Sequence, residues 1–132
     1  MMVGIGTDLV EIARIEALYQ KHPVAFSQRL LSAQELLVFN GHTQPGHFLA
    51  KRWAAKEAIA KALGTGFRDG VSFVDMTITH TELGQPQIQL SGQTALIAQR
   101  QDIRHWSISL SDEKHYALAF VIAETGSNPD IS

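Results

Sequence analysis

The run FLAKRWAAKEAIAKAL, from about His47 to Leu63, constrains this chain more than any other segment. It is built from Ala, Leu, Lys and Glu, all strong helix formers, and Gly64 follows as a natural C-terminal cap. Its polar residues are Lys51, Arg52, Lys56, Glu57 and Lys61, and almost everything else on it is apolar. Such a helix is covered on most of its sides, so the rest of the chain has to supply the cover.

The second half changes character. Val71 to Thr81 and Gln87 to Leu90 read as strands, punctuated by a turn at Leu83-Gly84-Gln85-Pro86. Ser91 to Gln101 suits a helix. Trp106 to Leu110 alternates in the strand manner, and Tyr116 to Glu124 reads as a last strand after a turn at Ser111 to Lys114. In the first half, Val3 to Gly6 is a short apolar run compatible with a buried strand. Helical spacing then begins at Asp8, with Leu9, Ile12, Ala13 and Ala17 on one face, and Pro23 ends that helix. Ser32-Ala-Gln-Glu35 has the capping-box form and opens a short helix that Asn40-Gly41 breaks. The expected class is α+β, an antiparallel sheet packed with a long central helix. The expected domain spans residues 1–125, and residues 126–132 (GSNPDIS) have the composition of a frayed tail.

Composition removes several classes of function. The 132 residues are one domain's worth, with 45% hydrophobic and 18% charged residues, which excludes disorder for the bulk of the chain. A net charge of -2 gives no general reason to expect nucleic-acid binding. With no Cys there is no disulfide, thiolate metal site or Cys nucleophile. No apolar run approaches the ~18 residues of a membrane span. The opening MMVGIGTDLVEI carries an acid where a signal peptide has a basic segment, so the expected location is cytoplasmic.

The long helix holds the most suggestive chemistry. Arg52 and Lys56 are one turn apart, as are Glu57 and Lys61, and one turn rises about 5.4 Å. One acid among four bases can hold a cation together with the phosphates that the cation binds. Composition alone favours a plainer reading, an ion pair on a solvated face with Lys61 complementing the helix dipole. Asp8 lies where strand gives way to helix. There it is either a side chain pointing into a cleft or an N-cap with Glu11 three residues on. Arg14 and Lys21 share a helix face that can receive an acidic partner, though a solvated face is the commoner explanation. The dinucleotide fingerprint fails because Leu9 stands where its third Gly belongs, and no Walker motif is present. The six His show no metal-ligand spacing, and Ser107, Ser109 and Ser111 have no adjacent His base.

Three segments resemble the holo-[acyl-carrier-protein] synthases, the short bacterial 4'-phosphopantetheinyl transferases. They are Gly4 to Ile15 (GIGTDLVEIARI), Phe48 to Gly66 with its Trp53-x-x-Lys56-Glu57-x-x-x-Lys61 signature, and Gly84-Gln85-Pro86 followed by Ser107 to Glu124 (SISLSDEKHYALAFVIAE). The resemblance implies transfer of the 4'-phosphopantetheine arm of coenzyme A to a serine of apo acyl carrier protein, in support of fatty acid biosynthesis. Adenosine 3',5'-bisphosphate is released. It implies Mg²⁺ held by Asp8 and Glu57, and coenzyme A phosphate bound by Lys61. Arg52, Lys56, Gly64 and Thr65 follow as further contacts, and Arg14 with Lys21 as the carrier-docking face. It also implies a homotrimer with sites between neighbouring subunits. The serine proton goes to Glu57 or to a metal-bound water beside it, and the sequence leaves both open. The chain departs from the resemblance at one place. Many members have Ser-x-Ser-His near the C-terminus, whereas here Asp112 stands in the His position and no role passes to His115. The alternative reading is a non-catalytic module that binds coenzyme A or carrier protein. A degenerate binder would be free to lose Asp8, Glu57 or Lys61, and all three are present.

Overall fold

The computed structural model describes residues 1–126. Strand β1 (Met2–Glu11) leads into helices α1 (Ile12–Lys21), α2 (Pro23–Leu30), α3 (Ala33–Phe39) and α4 (Pro45–Leu63). A single 3₁₀ turn (Phe73–Asp75), β2 (Met76–His80), β3 (Pro86–Leu90), α5 (Gly92–Arg100), β4 (Ile103–Asp112) and β5 (Tyr116–Thr125) follow. The α+β class read from the sequence is the observed one. Residues 127–132 of the expected tail lie outside the described residues.

The main sheet is antiparallel in the order β1-β5-β4, and β2 pairs with β3 as a separate hairpin. Its inner face is lined by small residues. Gly4, Gly6, Asp8 and Val10 of β1 stand opposite Ala123, Val121, Ala119 and Ala117 of β5. Helix α4 lies across this face and buries most of its length. Strand and helix backbones nearly touch. A Cβ on Gly4 would sit 2.0 Å from the carbonyl oxygen of Ala62, and one on Gly6 would sit 1.9 Å from that of Ala58. Any side chain at these two places would force the layers apart.

The outer face of the sheet is apolar and exposed. Ile5, Leu9, Leu118, Phe120 and Tyr116 each show more than a third of their surface. The serines of β4, Ser107, Ser109 and Ser111, share that face with them. No helix among the described residues is long and apolar enough to cross a membrane.

Three local expectations change. The helical spacing from Asp8 does not start a helix, because β1 continues in register with β5 as far as Glu11 opposite Tyr116. Asp8 is therefore a strand residue, and Glu11 takes the N-cap position of α1 without a side-chain bond. The helix buries Ile12 and Ile15, while Ala13 and Ala17 stay exposed. Pro23 ends α1 but also starts α2, since proline fits the first turn, where its missing N–H is not needed. Val71 to Thr81 is a strand only from Met76 onward. The capping box is as read: Ser32 Oγ accepts from Glu35 N, and Glu35 Oε1 accepts from Ser32 N.

A Gly6→Ala variant is expected to lose about 1–3 kcal/mol in a urea titration, the range for overpacking a close contact. Gly41→Ala, where a Cβ meets nothing within 4 Å, is the control and is expected to change little. Equal stability of the two variants would show that the β1–α4 approach is not tight.

Candidate active site

Asp8 points from the inner face of β1 toward α4, opposite the small Ala119. From α4, Lys61 reaches across and donates to the Thr7 carbonyl at 2.8 Å and to Asp8 Oδ1 at 3.1 Å. Glu57 is one turn before Lys61 on the same flank of α4 and is half-buried. Burial pushes its carboxyl above the ordinary range, and the negative charge of Asp8 pushes it further. Lys61 and Arg14 pull the other way. β1, α4 and α1 thus meet at one place, with two carboxylates and a lysine between them.

At the end of α4, Gly64 takes the left-handed conformation at φ 78° and closes the helix, as its place in the sequence predicts. Open space lies where its side chain would be. Thr65 turns its hydroxyl onto the Gly66 carbonyl at 2.8 Å. Both sit at the Lys61 end of the helix, so the backbone there is free to approach a ligand.

One turn before Glu57, Trp53 carries the guanidinium of Arg14 at 5.9 Å from its ring centroid. Trp53 also packs with Phe26 and Phe73, with ring centroids 6.1 and 5.3 Å away. Together with Leu18, Leu30 and Arg29 these rings line a cavity of about 170 Å³. Arg14 and Lys21 are both exposed on α1, and Arg14 lies over the Trp53 ring that lines it. Leu18, Phe26, Arg29 and Phe73 are site neighbours that the sequence reading missed. Reading Pro23 only as a stop hid α2, which supplies two of them.

The other basic pair faces elsewhere. Arg52 and Lys56 lie about 140° around α4 from Glu57 and Lys61, which follows from the five-residue offset. Lys56 is completely buried. Its ammonium donates to the carbonyls of Leu30 and Phe73 at 2.7 and 3.0 Å and to the Glu35 carboxylate. An ammonium has three donors, and all three are used inside the protein. The structure thus places Lys56 as an internal tie between α2, α3, α4 and the segment before β2, away from the flank of Glu57 and Lys61. Burial lowers its pKa to about 8, despite the partial compensation from Glu35. Arg52 is also buried, with Nε 3.1 Å from Glu35 Oε2, but it borders a cavity between α3 and β2. Asp112 accepts from His47 Nδ1 or shares its proton at 3.0 Å, and lies 3.9 Å from Lys51 Nζ.

Residues 4–121 match the model of the 4'-phosphopantetheinyl transferase superfamily, and the chain belongs to that superfamily. The more particular likeness is to holo-[acyl-carrier-protein] synthases. The protein of that name from Hydrogenovibrio crunogenus is 65% identical over 96% of this chain and 100% of its own. The crystal structure of the Neisseria meningitidis synthase superposes with a TM-score of 0.90 at 46% identity, covering 95% of this chain and 100% of that one. The Bacillus anthracis synthase, solved in complex with CoA (3',5'-ADP), superposes at 0.80 with 34% identity, covering 96% and 99%.

The mutual influence of the two acids is measurable in the metal-free protein. Protonation of Glu57 is favoured first by burial and then by Asp8. Asp8→Asn removes only the second cause. The Glu57 carboxyl, followed by ¹³C NMR, should titrate at lower pH than in the parent. An unchanged midpoint would mean that the two groups do not face each other.

Proposed function

We propose that this enzyme transfers 4'-phosphopantetheine from coenzyme A to a serine of apo acyl carrier protein in the cytoplasm, supplying holo carrier for fatty acid biosynthesis. The observation that carries the reading is the meeting of Asp8, Glu57 and Lys61, from two distant segments, on one flank of α4.

Two facing carboxylates fit a hard divalent cation, because their repulsion is relieved when the cation sits between them. Among the described residues no cluster of three or more His, Cys, Asp and Glu could hold a metal by itself. The remaining oxygen ligands of Mg²⁺ would come from substrate phosphate and water, as is usual for that ion. Asp8 and Glu57 would hold it, and when bound it supplies charge neutralisation at the pyrophosphate.

The residues of the chain divide the remaining work. Lys61, half-exposed beside Asp8, binds pyrophosphate oxygen as a point charge. Gly64 and Thr65 let the backbone approach the same phosphates. The carrier serine oxygen attacks the phosphorus that bears the pantetheine arm. The bond to the adenosine-side phosphate breaks, and adenosine 3',5'-bisphosphate leaves with that electron pair. Glu57, or a water beside it, takes the serine proton. Arg14 and Lys21 receive the acidic carrier, and the aromatic cavity beside them offers apolar contact at the same surface.

A homotrimer fits this division. The outer sheet face is a contiguous apolar surface of the kind that a neighbour covers. The acid–lysine cluster and the Arg52 cavity lie on different flanks of α4, so a long cofactor can use one flank from each of two subunits.

The deciding experiment mixes the purified chain, apo carrier protein, coenzyme A and Mg²⁺, and weighs the carrier by mass spectrometry. The carrier should gain one phosphopantetheine arm. Chelation by EDTA, or Glu57→Gln, should cut the rate at least about a hundredfold, in the range ascribed to removing a proton-transfer group. A folded chain that leaves a cognate carrier unmodified would defeat the reading. In the same assay Arg14→Glu should raise KM for the carrier and leave KM for coenzyme A largely intact. No change in either would remove Arg14 from the docking face.

A further inference from the structure

Arg52 is 5% exposed. Among the described residues its Nε is the buried side-chain nitrogen that lacks a hydrogen-bond partner. Nε stands 3.1 Å from Glu35 Oε2, close enough for an ion pair, but its N–H is not aligned on that oxygen. The guanidinium lies over the Phe48 ring, 4.4 Å from the centroid. A guanidinium carries five donors, and leaving its buried Nε–H unpaired is costly unless something offsets it.

The charge around it is unbalanced in the same sense. Arg52 and Lys56 both face the single carboxylate of Glu35. Burial lowers the proton affinity of both bases, and Glu35 offsets only part of that. One buried positive charge is left over at the wall of a cavity of about 510 Å³ between α3 and β2. His80 and Thr79 of β2 and Leu37 of α3 line the same cavity. Burial and the charges of Arg52 and Lys51 hold His80 below its usual pKa. The cavity is therefore a place where an anion is wanted, with a neutral imidazole and a hydroxyl beside it.

Glu35 decides where that guanidinium stands. One carboxylate oxygen accepts from Ser32 N at 2.9 Å and from the Lys56 ammonium. The other accepts from Ile78 N at 3.0 Å and contacts Arg52. The donors come from the α3 cap, from α4 and from the edge of β2 that is not paired with β3, so the carboxylate has no freedom to turn. We propose that Glu35 is a positioning residue for coenzyme A: its carboxylate holds the Arg52 guanidinium at the cavity wall by charge, 3.1 Å from Nε, so that the guanidinium meets a phosphate of the substrate in the cavity between α3 and β2. This rests on the function proposed above, in which coenzyme A is the anionic substrate. A plain structural hub would also be bonded on every side, but it would not tie substrate affinity to Arg52.

The test is isothermal titration of the full chain with coenzyme A and with adenosine 3',5'-bisphosphate, beside the transfer assay and thermal melts. Glu35→Gln keeps the length of the side chain and an acceptor for Ser32 N. It is expected to weaken binding of both ligands about tenfold, which corresponds to roughly 1.4 kcal/mol, and to leave KM for the carrier within about twofold. Arg52→Lys keeps the charge but loses the planar fork, and should weaken binding similarly. The double variant should bind no more weakly than the weaker single variant, because both changes break the same chain of contacts. A folded Glu35→Gln that binds as the parent does, or losses that multiply in the double variant, would overturn the proposal. If Glu35→Gln does not fold, Arg52→Lys decides, and unchanged affinity there overturns it. A parent that binds coenzyme A but modifies no carrier would sink the transferase reading and leave this proposal to the affinity data. Active transfer with unmoved affinities in the variants would do the reverse.

Discussion

The near-contact of β1 with α4 is the constraint on which the rest of this protein depends. Gly4 and Gly6 remove every side-chain atom from the strand at the two places where it crosses the carbonyls of Ala58 and Ala62. The alanines do the same from the helix side. With the layers this close, the next inward residue of the strand, Asp8, comes within reach of Lys61 without leaving its own backbone register. A bulkier pair of surfaces would still form a core, but it would hold the acid of the strand away from the lysine and acid of the helix. Packing density is here a condition for chemistry as well as for stability.

α4 is consequently a buried helix with two charged flanks of different kinds. On one flank Glu57 and Lys61 remain partly open, and Asp8 and Arg14 tune the carboxyl of Glu57 from either side. On the other, Lys56 is sealed in with Glu35 by a dense set of hydrogen bonds, while Arg52 is buried beside them at a cavity wall with its Nε unpartnered. Four basic and acidic residues of one helix thus perform separate tasks, set by an offset of five positions along the chain. The same helix joins the sheet, the hairpin of β2 and β3, and the small helices α2 and α3 into one body.

Much of this was legible before any coordinates. The capping box at Ser32, the Gly64 cap and the Ala-rich helix are local patterns, and local hydrogen bonding settles them. The alternation in β4 and β5 was clear for the same reason. Where the reading failed, a distant partner had overridden a local preference. The spacing from Asp8 is as helical as it is extended, and pairing with β5 chose the strand. Pro23 reads as a stop, and the same ring is well suited to begin the next helix. Lys56 looked like any basic residue beside Glu57 in a signature, because nothing in its neighbourhood along the chain announces Glu35, Leu30 and Phe73 as partners.

The sequence by itself determined the class of fold and the long helix with its caps, which depend on propensity and periodicity acting within a few residues. The residues that carry chemistry stood out only through the resemblance of three segments to a family. Only the tertiary structure decided that Asp8 and Lys61, separated by three helices of the chain, touch, and that Lys56 is locked away while Glu57 one position later stays half-open. That outcome depends on which surfaces close on which, and on the direction in which each side chain leaves its backbone. Neither is encoded in a window of sequence, because both are fixed by contacts between segments that meet only when the whole chain has folded.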